Sequence, residues 1–315
     1  MHPLRKTMAA VFGALVLAVL GLLPAGVTPA TAAAAAHHGP GDPPSPAPYS
    51  SHLVPGVTGS AAAKLLTPAQ RDDYMKQHYA HLKRSNSGPP QPADVHQFWA
   101  IYPSGSDAPT ATDAHHSVTP SLRTSNSGDV VYAPTLYPAG NACIENTTAY
   151  ENNQAVVWAW DWCNSYTVGK YTVMDATFQS KYTKNGSYEV QISKTNASTN
   201  QWTMWLFNYS TNQWDNYFQS AGYDKNNGTQ SPDVGGWDAF EVYSANNPST
   251  NQPYICGDTA NDSFSATQIW QLVNGSWKAP DSTDSTADAN GAIFGCSHLN
   301  AKVTTANSAW TVSNP

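Results

Sequence analysis

Hydrophobic and polar positions fall into three regimes along the chain. The first is an almost unbroken apolar run over residues 9–23, preceded by Arg5 and Lys6 and followed by small-residue steps such as Ala30-Thr31-Ala32. A basic start, a short apolar centre and a small-residue cleavage site make a secretory signal peptide, which predicts residues 1–32 as leader and Ala33 onward as the mature chain. The run is shorter than the roughly 20 apolar residues needed to cross a bilayer, and no later stretch approaches that length. The mature protein is therefore expected to be secreted, extracellular and free of the membrane.

The second regime has no apolar period. Residues 33–66 are rich in Pro, Ala, Gly and Ser and bury too little apolar surface to offset chain entropy, which predicts a disordered spacer. Residues 67–87 then carry the signals of one helix. Thr67 is the N-cap, Pro68 the first helical residue, and Gln70 completes a capping box; Asp72 and Asp73 suit the first turn. Lys83 and Arg84 suit the last turn, and Ser85-Asn86-Ser87-Gly88 stops it. Met75, Tyr79 and Leu82 make a narrow apolar stripe, as expected of a weakly docked surface helix or a propeptide-like arm.

From residue 93 to 315 the pattern changes to short aromatic and β-branched runs separated by Asn, Gly and Ser. These predict strands over 95–102, 130–137, 155–162, 171–178, 188–193, 202–208, 214–219, 239–243, 265–272 and 302–305. Asn185-Gly186 and Asn274-Gly275 are hairpin-turn dipeptides. Ser198-Thr-Asn-Gln-Trp202 recurs as Ser210-Thr-Asn-Gln-Trp214, with a partial copy at Ser249-Thr-Asn-Gln252, as consecutive antiparallel strands would require. The fold class is all-β, an antiparallel β-sandwich or jelly roll, preceded by the spacer and the helix.

Period-two alternation puts Trp158, Trp160 and Trp162 on one strand face. The 202–208 run is apolar on both faces, with Trp202, Met204 and Leu206 on one and Trp205 and Phe207 on the other. Ten Trp follow Asp129, more than a core of this size requires. Indoles beside amides and carboxylates suit sugars, because the C–H face of a pyranose stacks on the ring and its hydroxyls bond the polar rim. Exposed Trp158, Trp160, Trp162, Trp205, Trp214 and Trp237, with Asp238, are the expected platform for a polysaccharide or cell-surface glycan.

Charge narrows the partners. From Asp129 onward 7 Lys face 16 acidic residues, a net charge of −9 with no Arg after Arg123, which repels a phosphate backbone and excludes nucleic acid. Cys143, Cys163, Cys256 and Cys296 predict two disulfides. Cys143–Cys163 and Cys256–Cys296 are favoured among three connectivities, because each closes a local loop.

Catalytic options are few. His298 is the only histidine after Asp129, and no nucleophile elbow, phosphate loop or dinucleotide fingerprint occurs. His115-His116 and His37-His38 are read as solvated loop residues, and the cysteines lack the spacing of a zinc site. Neither a metal nor a cofactor is expected. Carboxylates remain: Glu189 alternates with Tyr188 and Val190 and is expected to face solvent, whereas Glu145 and Glu241 lie in aromatic surroundings where a pair of acids can work as general acid and base.

Val95-His96-Gln97-Phe98-Trp99-Ala100-Ile101-Tyr102, Val157-Trp158-Ala159-Trp160-Asp161-Trp162-Cys163 and Gly236-Trp237-Asp238-Ala239-Phe240-Glu241 together resemble secreted bacterial proteins labelled carbohydrate-binding protein, over roughly residues 66–315. The chain is also more faintly similar to the neprosin-type glutamic endopeptidases, secreted β-sandwich enzymes that use two glutamates. Glu145 and Glu241 would be the counterparts, although the Gly-Trp after the first and the Trp-Gly-Gly-Glu around the second are replaced here. Three functions are thus set against each other: glycan binding first, an acid-optimum glutamic endopeptidase second, and an extracellular structural protein third.

Overall fold

A computed structural model describes residues 94–103, 109–126, 129–139, 142–151, 153–164, 167–222, 235–280 and 285–315. The predicted leader, spacer and helix lie outside the described residues. Among the described residues, no helix is long and apolar enough to cross a membrane.

One turn, used three times, organises the hairpins. In Asn196-Ala-Ser-Thr-Asn200-Gln, Asn208-Tyr-Ser-Thr-Asn212-Gln and Asn247-Pro-Ser-Thr-Asn251-Gln, the first Asn side chain accepts the amide of the Ser two residues on. The second Asn takes the left-handed conformation, with φ of 48°, 56° and 54°. Asn supplies both needs: a short acceptor that folds back on the chain, and tolerance of positive φ. This is the structural content of the Ser-Thr-Asn-Gln echo. Asn185-Gly186 and Asn274-Gly275 also have positive φ at both residues, as tight hairpins require.

Among the described residues the hairpins build two antiparallel sheets. The first has eight strands: β1 (Asp94–Pro103), β3 (Val130–Ala139), β4 (Ile144–Glu151), β5 (Gln154–Asp161), β6 (Thr167–Val173), β11 (Gly235–Asn247), β12 (Gln252–Pro253) and β15 (Ser285–Ala287). Their order is β15-β1-β11-β3-β4-β5-β6, with β12 on β11. The second has ten: β2 (Ala111–Ser117), β7 (Thr183–Lys184), β8 (Ser187–Asn196), β9 (Gln201–Asn208), β10 (Gln213–Ser220), β13 (Ser263–Val273), β14 (Ser276–Lys278), β16 (Gly291–Ala292), β17 (Asn300–Thr305) and β18 (Ala309–Ser313). Their order is β10-β9-β8-β2-β13-β18-β17-β16, with β14 on β13 and β7 on β8. The chain is an all-β sandwich, as its pattern predicts.

Polar side chains lock the two sheets together. Asp238 on β11 accepts from Trp310 Nε1 on β18 at 2.7 Å and lies 2.9 Å from His116 Nε2 on β2. Asn146 on β4 donates to Tyr188 Oη on β8 at 2.8 Å and to His116 Nδ1 at 3.2 Å, and Thr148 Oγ1 is 2.7 Å from the same tyrosine oxygen. With Asn146 donating to Nδ1, the His116 proton on Nε2 points at Asp238, so both ring nitrogens have a partner. Phe240 packs edge-on against Phe264 beside them, ring centroids 5.0 Å apart. Gly236, the second residue of β11, has no room for a side chain, because a Cβ there would collide with the Pro138 carbonyl on β3.

The disulfides are Cys143–Cys163 and Cys256–Cys296, with no free thiol among the described residues, and they fit an oxidising compartment. Three expectations need correction. The run 171–178 is not one strand: β6 stops at Val173, Asp175 caps the amide of Phe178 at 2.9 Å, and a short helix, Ala176–Tyr182, follows. His115 and His116 are buried on β2 rather than solvated in a loop, and Glu189 is fully buried. In both cases sheet pairing buries polar side chains that alternation alone assigns to water.

Candidate functional site

Because Asp238, Phe240, Asn146 and Thr148 point between the sheets, alternation sends their strand neighbours to the outer face of the first sheet. Glu241 and Tyr243 on β11 and Glu145 and Thr147 on β4 therefore share that face, separated by β3. Register fixes the surroundings. Glu241 stands opposite Tyr132 on β3 and Phe98 on β1. Glu145 stands opposite Trp160, and Thr147 opposite Trp158 and Thr135.

Aromatic rings wall the two acids. Tyr132 contacts Trp158 at 5.1 Å and Tyr243 at 5.9 Å between centroids, Tyr137 stacks on Trp237 at 4.4 Å, and Trp160 meets Trp162 at 5.6 Å. Thr147 Oγ1 donates to Glu145 Oε1 at 3.3 Å, holding that carboxyl toward the Thr135 and Ala239 rung. Burial, followed by the negative charges of Glu151, Glu241 and Glu145, pushes the Tyr132 hydroxyl well above the usual phenol range. Burial and then Glu241, Tyr132 and Glu145 do the same to Tyr243. Both phenols therefore stay protonated donors. Glu145 is 1% exposed and Glu241 is fully buried.

The expected glycan platform is not exposed in this structure. Trp158, Trp160, Trp162 and Trp237 are at most 2% exposed, and Asp238 is spent on the lock between the sheets. Trp205 and Trp214 are half-buried; Trp205 Nε1 donates to Ser193 Oγ at 3.1 Å, and Trp214 rests edge-on against Phe207. Among the described residues, Tyr171 is the one exposed large apolar side chain. Alternation correctly groups the indoles on a face but carries no information on whether that face is covered. Trp160→Ala is accordingly expected to cost about 3–5 kcal/mol of stability, read by urea unfolding. A variant that melts like the parent would restore the exposed reading.

Tyr132, Tyr243 and Thr147 were not legible as site residues, although Glu241-Val242-Tyr243 carries the period-two signal that would have found one of them.

Burial pushes Glu151 and Asp262 above the ordinary carboxylate range, and pushes Asp258 up against the Ser125 bond that lowers it. The folded chain therefore holds protons that the unfolded chain has released. Stability contributed by these groups is present below the unfolded carboxyl pKa values, near 4, and is lost as pH rises toward the raised ones. The melting temperature should rise as pH falls from 7 toward about 4; a maximum at neutrality would contradict this.

No protein-family model and no curated protein matches the sequence. Solved structures do match. Scytalido-glutamic peptidase with a peptide-based transition-state analogue is 11% identical, with a TM-score of 0.41 over 70% of this chain and 100% of that one. SCP-B, a member of the eqolisin family of peptidases in complex with the tripeptide Ala-Ile-His, is 12% identical, with a TM-score of 0.40 over the same shares. At these values the likenesses assign no residue and no activity to this chain.

Proposed function

We propose that the protein is a glutamic endopeptidase in which Glu145 and Glu241 hydrolyse peptide bonds in acid. What supports the proposal is that the two glutamates, far apart in sequence, share the aromatic outer face of the first sheet and both raise the Tyr132 and Tyr243 hydroxyls. Two carboxyls in one dry patch resist ionising together, so one proton is shared between them in acid. The ionised member removes a proton from water as its oxygen attacks the peptide carbonyl carbon. The protonated member gives its proton to the departing amine as the C–N bond breaks. The Tyr132 and Tyr243 hydroxyls are donors for the oxyanion that forms between these steps.

Both acids are closed to solvent in this structure, so turnover requires the face to be uncovered. The test follows from that. The full chain is held at pH values between about 2 and 7, with and without brief limited proteolysis, and offered an unfolded protein substrate. Cleavage that peaks below neutrality supports the assignment. No cleavage under any of these conditions would leave a structural β-sandwich whose acids and indoles are all core.

A further inference from the structure

We infer that Asp113, His115 and Glu189 form a binding site for one divalent transition-metal cation on the outer face of the second sheet. Asp113 and His115 are two residues apart on β2, so their side chains leave the strand on the same side. Glu189 is the β8 residue directly opposite His115. The three offer ligand atoms that all lie within 4.8 Å of one another. His116 points inward at Asp238, which turns this trio to the far side of the sheet from Glu145 and Glu241.

Asp113 points to a ligand independently of the clustering. Its side chain is fully buried, and neither carboxylate oxygen has a hydrogen-bond partner. A buried carboxylate without donors is among the most costly groups a fold can hold, and one that persists calls for a counter-charge. A Glu189 carboxylate oxygen lies within 4.8 Å of an Asp113 oxygen, so two negative charges would face each other across a dry gap. A divalent cation would reverse that repulsion and balance the two carboxylates, with the imidazole neutral.

The spacing agrees. His115 Nε2 and Glu189 Oε2 are 3.6 Å apart, longer than the roughly 2.8 Å of a charge-assisted hydrogen bond. Nitrogen and oxygen ligands about 2.1 Å from a tetrahedral ion stand about 3.4 Å from each other. Tyr209 Oη, 3.5 Å from Glu189 Oε2, donates from outside the trio and orients that carboxylate as outer partners of metal ligands do. One imidazole with two carboxylates suits zinc or manganese rather than calcium, which takes six to eight oxygens. Three protein ligands leave a fourth position for water. The sequence predicts no metal because His115 reads as a loop residue and Glu189 as solvent-facing; sheet pairing brings them together.

The test uses the untagged full chain, stripped with EDTA, dialysed and titrated with Zn²⁺ and separately with Co²⁺. One equivalent of zinc retained per chain after gel filtration is expected. So is a rise in melting temperature of about 5 °C or more at 100 times the dissociation constant, together with a visible Co²⁺ absorption of tetrahedral intensity that Zn²⁺ bleaches. Asp113→Asn keeps the shape and removes one charged ligand, and should weaken zinc binding at least about tenfold. Should that variant fail to fold, the wild-type Co²⁺ spectrum and its bleaching decide. Zinc retained equally by Asp113→Asn would overturn the site. Absence of binding by the wild-type chain would overturn it too, and would mean that Asp113 and Glu189 share a proton instead.

Discussion

Replacing Asp238 by alanine is expected to remove about 3–5 kcal/mol of stability, because it leaves the His116 and Trp310 N–H groups buried with no acceptor. Asp238 is fully buried on β11, and both of its partners come from the opposite sheet. The substitution therefore breaks a bridge across the sandwich rather than a contact within one layer. Asp238→Asn retains the shape and one acceptor oxygen and should cost less, about 1–3 kcal/mol. Urea unfolding of the full chain, followed by tryptophan fluorescence, reads both values. A glycan-contacting Asp238 would have predicted an unchanged melt; a loss under about 1 kcal/mol for the alanine variant would mean that apolar packing alone holds the sheets together.

The same residues explain what was legible in the sequence and what was not. Strands whose burial is apolar announce themselves: β1, β3, β5, β9, β10, β11 and β13 carry aromatic or β-branched alternation, and the Asn-Gly and Ser-Thr-Asn-Gln turns mark their joints. β2 and β4 do not. Ala111–Ser117 reads ATDAHHS and Ile144–Glu151 reads IENTTAYE, yet both are buried, because their polar side chains find partners across the sandwich. No hydrophobic period can signal a strand whose inward positions are His, Asn and Thr. The candidate acids could be named from scarcity and context, but their sharing one face depends on the order β11-β3-β4, a non-local pairing that no local pattern contains. Trp158 and Trp160 are covered rather than exposed for the complementary reason: pattern sets the side of a strand, and only the assembled fold sets what lies over it.

Glu145→Gln and Glu241→Gln should each lower the acid peptidase activity by about 10²–10⁴-fold while changing the melting temperature little, since the amide keeps the shape of the carboxyl. An amide can neither take a proton from water nor hand one to the leaving amine at these pH values, so either substitution removes half of the proton transfer. The loss should fall on kcat more than on KM, because each acid acts on the reacting bond and contributes little to binding of the extended substrate. Residues that act as a unit are not additive, so the double variant should be no slower than the worse single one. The pH profile carries further information. The wild-type chain should give a bell whose limbs belong to the pair rather than to either residue, and each single variant should lose one limb. Losses that multiply in the double variant, or single variants that keep the full bell, would show that Glu145 and Glu241 do not share a proton and that the hydrolysis arises elsewhere in the molecule.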